Sequence, residues 1–226
     1  TGVQTCALPI FKKIESSGKH LLGIINDILD FSKIEAGELS LSTAPMSVSQ
    51  ALDGVIALLS PQAAQKGIDL RSNVVGEQCW VEADAVRVRQ AMFNLIGNAV
   101  KFTNEGSVTA TLSFLASSHL DHCRIRLEVQ DTGIGIPDTL RPQLFQRFQQ
   151  GASKASIDTN GTGLGLAISK ALIDLMGGEI DYSSVEGLGS RFWMEFEVPR
   201  AEPVHAIKFA NHELSGVRVL LVEDNS

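Results

Sequence analysis

Asn94 and Asn98 stand four residues apart in QAMFNLIGNAVKF, a stretch whose remaining positions give a helix with an apolar face. That spacing puts both side chains on one side, about one turn apart. Amides gain little on an open helix surface and are expensive on a buried one, so two on one face point to a polar ligand or an ion. The competing reading is one exposed amide and one capping or packing amide. Two glycine-rich stretches follow. Asp131-Thr132-Gly133-Ile134-Gly135-Ile136-Pro137 begins where an apolar strand ends, which places a carboxylate at a strand terminus with two flexible glycines beyond it. An ionised carboxylate only accepts, and there it can take the exocyclic N–H of a purine; the same residues also suit a plain turn. Gly161-Thr162-Gly163-Leu164-Gly165-Leu166 opens a helix, so backbone N–H groups freed by glycine can point at phosphate oxygens with the helix N-terminus behind them. The third glycine of a dinucleotide-binding GxGxxG would fall on Leu166, and no Gly-Lys-Ser/Thr follows, so neither that fingerprint nor a P-loop is present.

Such side chains need elements to hold them. Val88, Met92, Leu95, Ala99 and Phe102 face inward on a helix that Asp84 caps, and Leu52, Val55, Ile56, Leu59 and Ala63 predict another. Strict alternation at Val108, Ala110, Leu112 and Phe114, then at Ile125, Leu127 and Val129, predicts two neighbouring, half-buried, antiparallel strands. A helix from about Leu164 to Met176 leads to Gly177-Gly178, and two strands follow, the second with Phe192, Met194, Phe196 and Val198 inward. The expected fold class over residues 46–200 is α/β (α+β), a two-layer sandwich of a mixed sheet with helices on one face, preceded by a long bundle helix. That helix, residues 11–39, carries Ile14, Ser17, Leu21, Ile24, Ile28 and Phe31, with Leu22, Ile25 and Leu29 as a second stripe. Two stripes make a face too wide for a two-stranded seam and imply a helix bundle. Residues 40–45 predict a hinge and 201–216 a linker. Residues 217–226 predict a buried strand running into Glu223 and Asp224, the start of a truncated further domain. TGVQTCALPI at 1–10 has no matching period, reads as a translated sequencing adapter, and is set aside as a non-native scar.

A chain of 226 residues, 44% hydrophobic and 20% charged, has room for one sizeable core and a smaller element beside it. No apolar run approaches membrane-spanning length. The net charge of -7 argues against a nucleic-acid partner and requires any anionic ligand to be met by a few local cations or a metal. Cys6, Cys79 and Cys123 form neither a disulfide framework nor a zinc pattern, which fits a reducing compartment.

Taken in order, NLIGNAVKF, DTGIGIP, LFQRF and GTGLGLAIS resemble the N, G1, F and G2 boxes of the sensor histidine kinase ATP-binding domain, of the superfamily shared with gyrase, heat-shock-90 and mismatch-repair ATPases. The resemblance covers residues 11–200. KHLLGIINDILDFSKIEAGEL resembles the second helix of the dimerisation and phosphotransfer domain, and VRVLLVEDN resembles the first strand of a response-regulator receiver, which implies a hybrid kinase. Carried onto this chain, the resemblance implies that Asn98 gives an oxygen to Mg²⁺ and that Asn94 supports the ion or its water shell. Lys101 would neutralise phosphate, Phe102 would lie against the base, and Asp131 would read adenine. Gly133, Gly135 and Ile136 would line the nucleotide, while Gly161, Thr162, Gly163, Leu164, Gly165 and Leu166 would shape the phosphate end. Residues 149–160 would be a mobile lid, and Phe145 and Phe148 the paired aromatics of the F box. Arg147 either reaches the γ-phosphate or is a solvated arginine. The implied cofactors are ATP and Mg²⁺. The implied partners are a second copy, through the bundle helix, and an own or separate receiver. The catalytic region would be cytoplasmic, with membrane anchoring of the full-length protein left open.

In hydrolytic relatives the residue one turn before the metal-binding Asn is a water-activating Glu. Here it is Asn94, and an amide cannot take a proton at neutral pH, so phosphoryl transfer to a protein acceptor is expected over hydrolysis. None of the five histidines suits the acceptor. His20 lies in the second bundle helix, His119 and His122 in the turn between the alternating strands, and His205 in the linker. His212-Glu213-Leu214 copies the start of the acceptor motif, but Ser215-Gly216 departs from its Arg-Thr-Pro continuation. Self-phosphorylation of this chain is therefore not expected. The alternatives are an ATP-hydrolysing relative and a non-catalytic dimerisation or scaffold module.

Overall fold

The computed structural model describes Gly18 and residues 21–23, 25–26, 28–30, 32–146 and 163–203. The described residues from 21 to 35 are helical and constitute α1. It ends short of the expected residue 39: Gly37 turns left-handed at φ 68°, and the Gly37 and Glu38 N–H groups donate back to the carbonyls of Ile34 and Lys33. Strand β1 (Ala44–Ser47) then leads into α2 (Val48–Lys66), capped by the Ser47 hydroxyl accepting from the Gln50 N–H and closed by left-handed Gly67. Strands β2 (Asp69–Val75) and β3 (Trp80–Ala83) precede α3 (Ala85–Phe102), whose cap is Asp84 as expected, its carboxylate accepting from the Val86 and Arg87 N–H groups. Strands β4 (Ser107–Ala116) and β5 (His122–Asp131), a 3₁₀ turn at Asp138–Gln143, α4 (Gly165–Leu175), β6 (Glu179–Val185) and β7 (Gly189–Ala201) complete the described chain.

Among the described residues seven strands form one sheet in the order β1-β3-β7-β5-β4-β2, with β6 also on β7. It is mixed, because β2 pairs parallel to β4 while β4, β5, β6 and β7 pair antiparallel. Register explains the layering. Leu112 pairs with Leu127 and Leu127 with Met194, so the alternations of three strands fall on one face, and α2, α3 and α4 bury it. Leu52, Met92, Leu95, Ile96 and Ile173 are fully buried there. On the opposite face Arg126 pairs with Glu195 at 3.1 Å and lies 5.3 Å from the Trp193 ring centre, and Arg191 faces Glu128, an ion-paired surface in contact with water.

The two-layer arrangement matches expectation, and three details differ. The sheet begins at Ala44, within the expected hinge, because Ala44 and Pro45 pair with Ala83 and Glu82 and bring Met46 into the core. Ala201, expected to open the linker, still pairs with Trp80. Phe102, expected inward, is 42% exposed, whereas Val100 is fully buried. The last turn of α3 runs past the core and over the loop after β5, where the Phe102 carbonyl accepts from the Ile134 N–H. Cys79 and Cys123 are free thiols, and burial pushes that of Cys123 up to about 12, which makes it inert at neutral pH. Cys6, His20, His205, His212 and residues 217–226 lie outside the described residues.

Candidate functional site

Asp131 ends β5 and is 7% exposed. Its Oδ1 accepts from the Gly133 N–H at 2.8 Å and the Ser190 N–H at 3.2 Å, while Oδ2 has no hydrogen-bond partner among the described residues. Burial raises its pKa, and the two N–H donors act against that shift. The chain beyond it is held so close that side chains would not fit. A Cβ on Gly133 would come within 2.5 Å of the Phe102 carbonyl oxygen, and one on Gly135, already at φ 67°, within 2.1 Å of the Val185 oxygen. Ile136 packs against the core, and its N–H donates to the Ser184 hydroxyl at 2.8 Å.

The two asparagines differ in their contacts. Asn94 Nδ2 donates to the Gly165 carbonyl at 3.1 Å and to the Ser169 hydroxyl at 3.2 Å, and Ser169 in turn donates to the same carbonyl at 2.9 Å. This network fixes the amide orientation and ties α3 to the first turn of α4. The half-buried Asn98 side chain has no hydrogen-bond partner among the described residues. A carboxylate at 94 would replace a donor by an acceptor opposite the Gly165 oxygen. Asn94→Asp is therefore expected to lower the unfolding free energy by about 2 kcal/mol, more than Asn94→Ala does. Thermal unfolding of the two variants checks this; Ala being the more damaging would mean that the contact with α4 is not held by donation.

Burial lowers the pKa of Lys101, whose ammonium lies 5.1 Å from the centre of the Phe102 ring. Lys66, which the sequence did not single out, donates from Nζ to the carbonyls of Val100, Lys101 and Thr103 at 2.7 to 3.0 Å. All three ammonium protons are spent on the C-terminal end of α3, where a cation is favoured. The pairing spans two helices, so only the position of Lys66 in the last turn of α2 hints at it.

Gly163 is left-handed at φ 68°, and Leu164 joins Ile168 and Leu172 in a small apolar cluster that Ile34 and Leu39 cover. Asp30 accepts from Arg87 at 2.6 Å and Gln90 at 3.1 Å, so α1 is fastened near both α3 and α4. Leu166 is half-buried against the main core. Phe145 meets Tyr182 edge-on at 5.9 Å, and Tyr182 stacks on Phe192 at 5.5 Å. Arg147, Phe148, Gly161, Thr162 and the expected lid at 149–160 lie outside the described residues. The structure thus joins Asp131, Gly133, Gly135 and Ile136 to the end of α3 through Phe102, and Asn94 to Gly165. One glycine was missed. Gly189, at φ 110°, leaves 2.1 Å between a built Cβ and the Asp131 carbonyl oxygen; its signal was the Gly187-Leu188-Gly189 spacing between two strands. Among the described residues no group of three or more His, Cys, Asp or Glu could hold a metal by itself.

Residues 83–200 match the family described as histidine kinase-, DNA gyrase B-, and HSP90-like ATPase. The chain is 42% identical over 211 residues to sensor protein GacS of Pseudomonas syringae pv. syringae, covering 93% of this chain and 23% of that protein. It is 38% identical over 214 residues to the signal transduction histidine-protein kinase BarA of Escherichia coli K12, covering 94% and 23%. It therefore spans about a quarter of the length of these curated relatives. Full-length ShkA, solved in complex with AMPPNP, superposes with a TM-score of 0.71 at 36% identity, covering 85% of this chain and 39% of that one. The catalytic domain of histidine kinase ThkA superposes at 0.54 with 26% identity, covering 70% and 96%.

Proposed function

The chain belongs to the family of histidine kinase-, DNA gyrase B-, and HSP90-like ATPases, as a histidine-kinase ATPase domain, and on that premise we propose that it binds Mg-ATP and transfers the γ-phosphoryl group to a histidine supplied from outside these residues. The observation that carries the reading is Asp131. Two backbone N–H groups occupy Oδ1 and orient the carboxylate, which leaves Oδ2 to accept the amino group of adenine. Gly133 and Gly135 remove the bulk that would keep a base from the strand end. Phe102, exposed at the last turn of α3, supplies an apolar surface for the ring, and Lys101 beside it neutralises phosphate charge.

The residues fit Mg²⁺ held jointly with phosphates. Asn98 offers one unpaired amide oxygen, a hard ligand, and a single protein ligand suits an ion that keeps phosphate and water oxygens. When bound, the ion would neutralise charge developing on the transferred group. Hydrolysis finds no support at position 94, whose amide donates into α4 and can take no proton. The exposed Leu21, Leu22, Ile25, Ile28 and Leu29 of α1 suit burial against a second copy in a bundle, and VRVLLVEDN suits a receiver aspartate as the onward acceptor. No helix among the described residues is long and apolar enough to cross a membrane, and a cytoplasmic catalytic region is the reading that follows from the family.

Incubation with γ-labelled ATP and a supplied acceptor-helix bundle tests the proposal. Acid-labile label is expected on the acceptor and none on this chain. Phosphohistidine formed by the chain alone, or steady ATP turnover without an acceptor, would contradict it.

A further inference from the structure

Ser184, on β6, belongs to none of the glycine-rich stretches or asparagine positions, yet four segments meet at it. It is 8% exposed. Its hydroxyl oxygen accepts from the Ile136 N–H at 2.8 Å, in the loop that follows Asp131. The same hydroxyl lies 2.9 Å from the Gly189 carbonyl, to which it can donate, and 2.9 Å from the Ser190 hydroxyl. Its own carbonyl accepts from Arg141 at 2.6 Å, in the 3₁₀ turn. Ser190 is the residue whose N–H holds Asp131 Oδ1, and Gly189 is pressed against the Asp131 carbonyl. One buried hydroxyl therefore pins both walls beside the carboxylate, the Gly133–Ile136 loop on one side and the start of β7 on the other.

We infer that Ser184 is a positioning residue for purine selectivity, fixing the direction of Asp131 Oδ2 by locking Ile136 and the Gly189-Ser190 turn. This rests on the reading of Asp131 as the group that accepts the adenine amino hydrogen. Without the hydroxyl, the half-buried Ile136 N–H and the buried Gly189 carbonyl each lose a partner, and both segments must shift to find another. A carboxylate whose supporting donor moves with β7 still attracts a nucleotide but no longer enforces one hydrogen-bond direction. Discrimination then falls further than affinity for the triphosphate does, since Asn98, Lys101 and the phosphate end are untouched.

The test is equilibrium binding of ATP and of inosine triphosphate, which carries a 6-oxo group in place of the amino group, to the full chain and its variants. Ser184→Ala is expected to reduce the ratio of ATP to inosine triphosphate affinity by about tenfold, with inosine triphosphate affinity little changed. Ser184→Thr, which keeps the hydroxyl, should retain most of the ratio. Ser184→Cys, near-isosteric and a weak hydrogen bonder, should lower it in the same direction and serves if the alanine variant does not fold. Equal loss for both nucleotides would mark Ser184 as merely structural and overturn the inference, as would an unchanged ratio in both the Ala and Cys variants. If the unsubstituted chain binds the two nucleotides alike, the Asp131 reading itself falls and takes the inference with it. Discrimination that survives in the variants sinks the inference alone.

Discussion

Asp131→Asn is expected to weaken ATP binding by at least about a hundredfold and to make the unliganded fold firmer. The backbone N–H groups of Gly133 and Ser190 both point at Oδ1, so the amide must place its oxygen there to keep them satisfied. That choice turns Nδ2 toward the position of Oδ2, and a donor then meets the amino group of adenine, itself a donor. Inosine triphosphate presents an acceptor instead, so its affinity should rise relative to that of ATP, and titration calorimetry with the two nucleotides measures the exchange. Stability moves the other way. Burial raises the Asp131 pKa, so the native state holds this proton more tightly than the unfolded chain does. Stability therefore decreases as pH rises through the interval between the unfolded and the raised native value, and above it the charged carboxylate is a standing cost. The asparagine variant lacks that cost. It should melt a few degrees higher at neutral pH, with the gap closing as pH falls through the carboxylate range. An ATP affinity indistinguishable from the parent would remove Asp131 from the binding site.

The sequence made the positions of chemistry legible where the signal was local. Asp84 lies next to the N–H groups it caps, and the alternations at Val108–Phe114 and Phe192–Val198 each report one strand's own two faces. Strand β2 escaped notice because it is an edge strand with six of its seven residues exposed, which leaves no alternation to read. Asn94 was legible as polar chemistry but not as a strut, since its partners Gly165 and Ser169 lie 71 and 75 residues away. Lys66 and Ser184 were missed for the same reason: each is an ordinary polar residue whose partners are chosen by packing between elements. Phe102 shows the converse error. Its place in the heptad-like stripe is correct, but the core ends before the helix does, and a periodic pattern carries no information about where the opposing strands stop.

Asn98→Ala is expected to lower phosphoryl transfer to a supplied acceptor by about a hundredfold, the scale of removing one group that stabilises developing charge. The fold should not notice, because the amide has no partner among the described residues to lose and the position is only half-buried. ATP affinity measured in a chelator should stay near the parent's, while the gain on adding Mg²⁺ should disappear. That pattern separates the two asparagines, which look equivalent in the sequence. Asn94→Ala removes two donations into α4 and should lower the melting temperature whether or not magnesium is present. Asn98→Ala should leave the melting temperature of the unliganded chain alone and abolish its rise with Mg-ATP, since a ligand stabilises only the state that binds it. If both variants lost stability alike, Asn98 would have a structural partner in solution and the magnesium assignment would have to move to another oxygen. If Asn98→Ala kept the full magnesium gain, the ion would be held by phosphate and water alone, and the amide at the centre of the helix face would be there for packing.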